Sequence, residues 1–242
     1  MKVVVQCSGG VESTTLIGLA IAKFGKQNVF PIAFDTGGVF WNHRDSIAVK
    51  RVITNFQLQQ NLFVCKMPQV DELEYVRAGD YLDVGFIPGF KMLFNTASMA
   101  YAHRVGASEV WIGNMGDNVF PDEEPKFLTD LAALYNRTYG MEAEKPISIE
   151  TPFSAMTKAQ VIKIAVEHGI DIFDTVSCGD ERIAGGLNCG DCPWCYKRRD
   201  GFAAAGIIDK TRYMFDDSRA PKTYVPANRY GGIALLSGGT NV

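Results

Sequence analysis

The chain has 242 residues, 47% of them hydrophobic, with 24 basic and 27 acidic side chains and a formal net charge of −3. That length can bury one large α/β core with at most a small appendage. The balanced charge excludes a polyanion-gripping protein, so no nucleic acid is expected as a direct substrate. No apolar run reaches membrane-spanning length and the chain opens on a core-like strand, which predicts no membrane contact and a cytoplasmic location.

In chain order, Val3–Val5, Val29–Phe34, Leu62–Val64 and Val110–Gly113 read as buried parallel strands, with a fifth at Ile147–Ile149. Helical patterns fall between them at Ser13–Phe24, Asp45–Phe56, Met92–Arg104 and Lys126–Tyr139. Thr157 is placed to cap a further helix that runs through His168, with Val161, Ile164 and Ala165 on its apolar face. This βαβα rhythm predicts an open, doubly wound parallel α/β sheet. Ligands bind such sheets at the carboxyl ends of the strands, where Cys7–Ser13, Asp35–Gly38 and Gly113–Asp122 can converge. The stretch after Asp216 is rich in Pro and Gly and reads as extended.

The first strand runs into Cys7-Ser8-Gly9-Gly10-Val11-Glu12-Ser13-Thr14-Thr15. Two glycines allow close approach of an anion to the backbone, and the unpaired N–H groups of a first helical turn point at it. The Walker A lysine is missing, so a grip on a γ-phosphate alone is not the natural reading. The loop resembles the SGGxDS loop of pyrophosphatase-type ATPases, although any strand–glycine–helix turn looks similar at this level. Cys7 itself, like Cys65, has the character of a small core residue. Phe40-Trp41 could stack on a purine ring or simply pack in the core. His43, His103 and His168 show no metal-ligand spacing.

Four of the six cysteines, Cys178, Cys189, Cys192 and Cys195, follow the spacing C-x10-C-x2-C-x2-C. Overlapping C-x2-C turns suit a tetrahedral thiolate site for Zn²⁺, and an iron–sulfur cluster is the competing reading. Four thiolates leave no open position, so zinc here would be structural. Lys197, Arg198 and Arg199 can offset its charge.

Taken together, the motifs resemble the QueC family of 7-cyano-7-deazaguanine synthases from the first strand to about Tyr213. Ser8 to Thr15 corresponds to its pyrophosphate loop. Ile87-Pro88-Gly89 with Met92-Leu93-Phe94 is similar to its V-P-G-R-N-x-x-F segment. Glu150-Thr151-Pro152 with Thr157-Lys158-Ala159 is similar to its E-T-P-L and T-K-A-E segments, and Ser177-Cys178 through Cys195, Arg199 and Gly201-Phe202 to its zinc signature.

The resemblance implies a Rossmann-like fold of the adenine nucleotide alpha-hydrolase type. Residues 1–170 would form the nucleotide-binding domain, 171–215 a small zinc-binding subdomain and 216–242 a tail. It implies adenylation of the carboxylate of 7-carboxy-7-deazaguanine by ATP with Mg²⁺, attack by ammonia, and a second adenylation that yields the nitrile. Ser8, Gly9, Gly10, Val11, Ser13, Thr14 and Asp35 would bind nucleotide. Glu12 and Lys158 would be catalytic, and Lys91, Gly113, Asp117 and Asp122 would surround the deazapurine. Cys178, Cys189, Cys192 and Cys195 would hold zinc, and the protein would be a homodimer.

The departures fall around the substrate. Glu12 stands for the loop aspartate, Asp35-Thr36-Gly37-Gly38 for D-Y-G-Q, and Phe90 and Lys91 for an arginine and an asparagine. The G-Y-P-D-C-R loop reads Val119-Phe120-Pro121-Asp122-Glu123-Glu124. Two alternatives therefore stand: a paralogue that stops at the amide or joins the deazaguanine to a protein amine, as in anti-phage systems, and a nucleotide-binding scaffold without turnover.

Overall fold

The computed structural model describes residues 1–37, 46–67, 89–116, 121–138, 146–179 and 187–214. Five strands, β1 (Val3–Gln6), β2 (Val29–Asp35), β3 (Phe63–Lys66), β4 (Glu109–Trp111) and β5 (Ser148–Glu150), form one parallel sheet in the order β3-β2-β1-β4-β5. Val3 pairs with Val29 on one side and Glu109 on the other, so β1 is central. The expected fifth strand is real and pairs with β4, Glu109 opposite Ser148.

Among the described residues, six α-helices pack around this sheet: α1 (Val11–Phe24), α2 (Ser46–Phe56), α3 (Phe90–Val105), α4 (Pro125–Arg137), α5 (Lys158–Glu167) and α6 (Pro193–Ala205). The unbroken apolar run of β1 is explained by cover on both faces. Val3 and Val5 join a core with Leu16, Val52, Val161 and Phe202 from α1, α2, α5 and α6. Val4 points the other way, into a core with Met99 and Ala102 of α3 and Leu128 and Ala132 of α4. This is the doubly wound α/β arrangement that the sequence predicts. The chain reverses direction across the sheet between β1 and β4, which opens a crevice at their carboxyl ends.

Boundaries shift by a few residues. α1 starts at Val11, two residues before the expected Ser13, because Gly10 already serves as its N-cap. β3 alternates between half-buried and exposed positions, since it lies at the sheet edge. Thr157 does cap α5: its hydroxyl accepts from Gln160 N at 3.3 Å while Gln160 Oε1 accepts from Thr157 N at 2.8 Å, a reciprocal capping box. On α5 the buried face is Val161, Ile162 and Ala165, with Ile164 only half-buried. Among the described residues, no helix is long and apolar enough to cross a membrane. The expectations for Gly38, Phe40-Trp41, Ile87-Pro88, Asp117, Val119-Phe120 and the stretch after Asp216 lie outside the described residues.

The cysteine-bearing segment is stitched to this body by Arg198, whose side chain is fully buried. Its Nε and Nη2 donate to Thr211 Oγ1 at 3.0 and 2.7 Å, Nη1 to Thr175 Oγ1 at 2.8 Å and Ser177 Oγ at 3.1 Å, and Nη2 to Ile172 O at 2.9 Å. Buried Asn188 adds a second stitch, donating to Thr175 O at 3.1 Å and accepting from Ser177 N at 2.9 Å. Arg198→Met keeps the bulk but strips the donors from these acceptors. It is expected to lower unfolding stability by about 3 kcal/mol, measured as a shifted urea midpoint at unchanged slope; a loss below about 1 kcal/mol would remove the guanidinium as the tie.

Candidate active site and metal centre

The loop after β1 is held in shape before any ligand arrives. Gly9 has φ +77°, and a Cβ there would lie 2.5 Å from Ala48 Cβ and 2.9 Å from Val49 N. Only glycine meets both demands, and its backbone presses directly on the start of α2. From the other side Val176 N donates to Gly9 O at 3.0 Å. Ser13 Oγ donates to Gly10 O at 3.2 Å and lies 3.2 Å from Ser8 Oγ. Gly10 caps α1 with no side-chain hydrogen bond, and the first intrahelical bond is Thr14 N to Gly10 O at 3.0 Å. The N–H groups of Val11, Glu12 and Ser13 thus have no helical acceptor. A Cβ on Gly10 would stand 3.4 Å from Ser8 Oγ and 3.6 Å from Glu12 Oε2 and Val176 O, ordinary van der Waals contact, so this glycine keeps the loop's polar groups close around the helix N-terminus.

Glu12 and Lys158, distant in sequence, form an ion pair through Lys158 Nζ and Glu12 Oε1. Their side chains are only 18% and 12% exposed, so the pair is largely shielded from solvent. Gly113, beyond the end of β4, lies so close to this turn that a Cβ would stand 2.9 Å from Glu12 Cβ. Ser8, Gly10, Glu12, Ser13, Gly113, Lys91 and Lys158 line one cavity of about 510 Å³ at the carboxyl ends of β1 and β4.

Other expected residues do not point there. Thr14 lies about 100° around α1 from Ser13 and lines a separate cavity with Gly18 and Ile170. Its Oγ1 is buried without a hydrogen-bond partner among the described residues. Asp35 turns away because alternate strand residues face opposite sides: Phe34 and Thr36 line the cavity, whereas Asp35 Oδ1 accepts from Gly37 N at 2.9 Å. Asp122 is buried behind the wall, and both its oxygens lack a hydrogen-bond partner among the described residues. Burial pushes its carboxyl above the usual range; its own amide, the Lys91 charge and the nearby amides of Lys91 and Met92, none in good hydrogen-bond geometry, only partly pull it back. Its neighbour Glu123 takes the cavity position, 3.1 Å from Lys91 Nζ. Cys7 touches the cavity, but burial pushes its thiol up to about 12, which suits a core residue and not a nucleophile. Asp117 lies outside the described residues.

Several lining residues carry no sequence signal of their own. Gln6 donates from Nε2 to Asn95 Oδ1 at 2.9 Å and Ser98 Oγ at 3.0 Å, a polar cluster between β1 and α3. Phe34 and Phe94 stack with ring centroids 4.4 Å apart. Trp194 and Lys197 bring the cysteine-bearing segment to the same cavity. For Trp194 the only hint is an aromatic between two metal-ligand cysteines.

The sulfurs of Cys178, Cys189, Cys192 and Cys195 all lie within 4.8 Å of one another. Cys189 and Cys195 are 3.8 Å apart, and Cys178 and Cys192 3.9 Å. An ion with four bonds of about 2.3 Å in a tetrahedron sets its sulfurs about 3.8 Å apart. An iron–sulfur cluster divides four thiolates among two or four irons and so needs a wider spread. Amides of Gly179, Cys189 and Asp191 point at Cys192, Cys178 and Cys189 sulfurs at 3.4, 3.4 and 3.2 Å, which favours thiolates. The residues present therefore fit a single four-coordinate metal ion.

Comparison with known proteins shows the family. Residues 2–206 match the family described as Queuosine biosynthesis protein QueC. A 7-cyano-7-deazaguanine synthase of Acetivibrio thermocellus is 31% identical over 227 residues, 88% of this chain and 98% of that protein. Its namesake in Saccharophagus degradans is also 31% identical, covering 88% and 97%. Among solved structures, the U34-tRNA thiolase NcsA from Methanococcus maripaludis, with its 4Fe-4S cluster, is 15% identical over 86% of this chain and 72% of that one, at a TM-score of 0.45. With a family match from residue 2 to 206 and relatives alike along nearly their whole length, the chain belongs to the QueC family.

Proposed function

We propose that this chain is an ATP-dependent, AMP-forming C–N ligase that converts 7-carboxy-7-deazaguanine and ammonia to 7-cyano-7-deazaguanine. The observation that carries the reading is the uncapped glycine cradle with the Glu12–Lys158 pair, opening on a cavity of about 510 Å³. The substrate carboxylate attacks the α-phosphorus of ATP, and pyrophosphate leaves. Ammonia then attacks the acyl carbon, AMP leaves with the carboxylate oxygen, and the amide forms. The amide oxygen attacks the α-phosphorus of a second ATP and a second pyrophosphate leaves; the adenylated amide then loses AMP together with both hydrogens of its nitrogen, as protons, to give the nitrile.

The amides of Val11, Glu12 and Ser13 and the hydroxyls of Ser8 and Ser13 hold the departing pyrophosphate. Lys158 offsets its growing charge. When bound, Mg²⁺ supplies charge neutralisation between the phosphates, and Glu12 is the carboxylate placed to hold it. Gln6, Asn114 and Glu123 present polar atoms at the deazapurine end. Zinc in the closed four-thiolate site is structural. The family resemblance also supports a cytoplasmic homodimer.

The Lys91–Glu123 pair favours a second reading, because it stands on the cavity wall where the family carries other residues. In that reading the same adenylate stops at the amide or passes to a protein amine.

Mass spectrometry of the protein with ATP, Mg²⁺, 7-carboxy-7-deazaguanine and ammonium tests both. Nitrile with AMP is expected; amide or a protein adduct supports the second reading, and no AMP overturns adenylation. Glu12→Gln should slow AMP formation by about a hundredfold with metal content unchanged. AMP release at the wild-type rate would show the carboxylate to be dispensable. Wild-type protein should hold one zinc per four-cysteine site, and Cys192→Ser should lose metal and thermal stability together. Elemental analysis that finds the same ratio in both would remove the assignment.

A further inference from the structure

Helix α6 does more than carry Cys195 and start from Cys192 as its N-cap. Trp194, Lys197 and Gly201 recur at i, i+3 and i+7, one face of the helix. Trp194 and Lys197 line the cavity, and Gly201 meets α5. A Cβ on Gly201 would stand 2.6 Å from Lys158 Cγ, 3.2 Å from Lys158 Cβ and 3.0 Å from Ile162 Cδ1. The nearest of these atoms belongs to the lysine stem, too close to its backbone to swing aside freely. Its ammonium is the one paired with Glu12.

Glycine inside a helix weakens the helix relative to alanine. Its backbone here is ordinary right-handed helix, so no left-handed conformation calls for it. What it provides is room. The other faces of α6 are fixed by Arg198, by Phe202 and Ala205 in the main core, and by Cys195 in the four-cysteine cluster. Helix α6 therefore cannot retreat, and any side chain at 201 must displace Lys158.

We propose that Gly201 is a positioning residue for Lys158: the missing Cβ seats the lysine stem against α6 so that its ammonium reaches the first turn of α1. The metal-bearing helix thereby sets the place of the cation at the phosphate loop. The inference rests on the role given to Lys158 above, so its test includes binding of a ligand that needs no acid substrate.

Calorimetric titration of inorganic pyrophosphate with Mg²⁺, alongside the AMP assay, is made on wild type, Gly201→Ala, Lys158→Ala and the double variant. Gly201→Ala should weaken pyrophosphate binding and slow AMP formation, the latter by up to about a hundredfold. In the Lys158→Ala background the same change should cost nothing further, since the group through which it acts is gone. Should Gly201→Ala fail to fold, the Ile162→Val/Gly201→Ala pair removes the second contact and leaves the one with Lys158. Equal losses in both backgrounds would mark a general packing role and overturn the proposal, as would a Gly201→Ala protein identical to wild type. If wild type neither binds pyrophosphate nor forms AMP, the adenylation reading falls and this proposal with it. Wild-type binding with an indifferent Gly201→Ala variant sinks this proposal alone.

Discussion

A guanidinium removed from water ties the loop and the cysteine cluster into one object. Arg198 satisfies its donors on Ile172 O and on the hydroxyls of Thr175, Ser177 and Thr211. Burial lowers its pKa, yet an arginine stays charged, so the fold must accommodate a buried cation. Cys195, three residues earlier, belongs to a cluster that would carry net negative charge as four thiolates around a divalent ion. Between Thr175 and Ser177 stands Val176, whose N–H bonds Gly9 O in the glycine loop after β1. One buried charge thus orders the strand of chain that meets both sites. Removing its partners would loosen the metal ligands and the cradle together.

The cradle is formed in advance. Gly9 is caught between Ala48 and Val176, and the hydroxyls of Ser8 and Ser13 hold each other. An anion that enters meets fixed amides and does not have to order the loop, so less of its binding free energy is lost to conformational entropy. Glu12 lies in the first turn of α1, where a carboxylate interacts favourably with the helix dipole. Lys158, its partner, is 12% exposed and held at the same point from another helix. In the proposed reaction this pair would be divided, the lysine offsetting phosphate charge and the carboxylate available to a cation.

The elements that were legible in the sequence share a physical cause. β1 reads as a continuous apolar run because both of its faces are covered, and the cysteine spacing reads as a metal site because a C-x2-C turn converges two sulfurs. Glycine pairs after a strand report close backbone approach in the same way. Side-chain direction was not legible. Thr14 and Ser13 look equivalent in a list of loop hydroxyls, but a helix beginning at Val11 sends them to different cavities. Asp35 looks like a strand-end carboxylate for a ligand, and the strand alternation turns it away. The run Lys197-Arg198-Arg199 looks like solvated counter-charge; only the i, i+4, i+7 phase of Arg198 with Phe202 and Ala205 hints that one of the three is buried.

That same dependence on packing explains why a glutamate suits position 12. Gly113 approaches so closely that the Glu12 stem has one side closed to it, and the carboxylate is directed toward α5. Lys158 comes from the other direction, its own stem bedded against Gly201. The two side chains meet because each is confined near its Cβ and free only at its end. The loop carboxylate, the lysine and the glycine face of α6 are thus packed in series, so the position of the ion pair depends on how α5 meets α6.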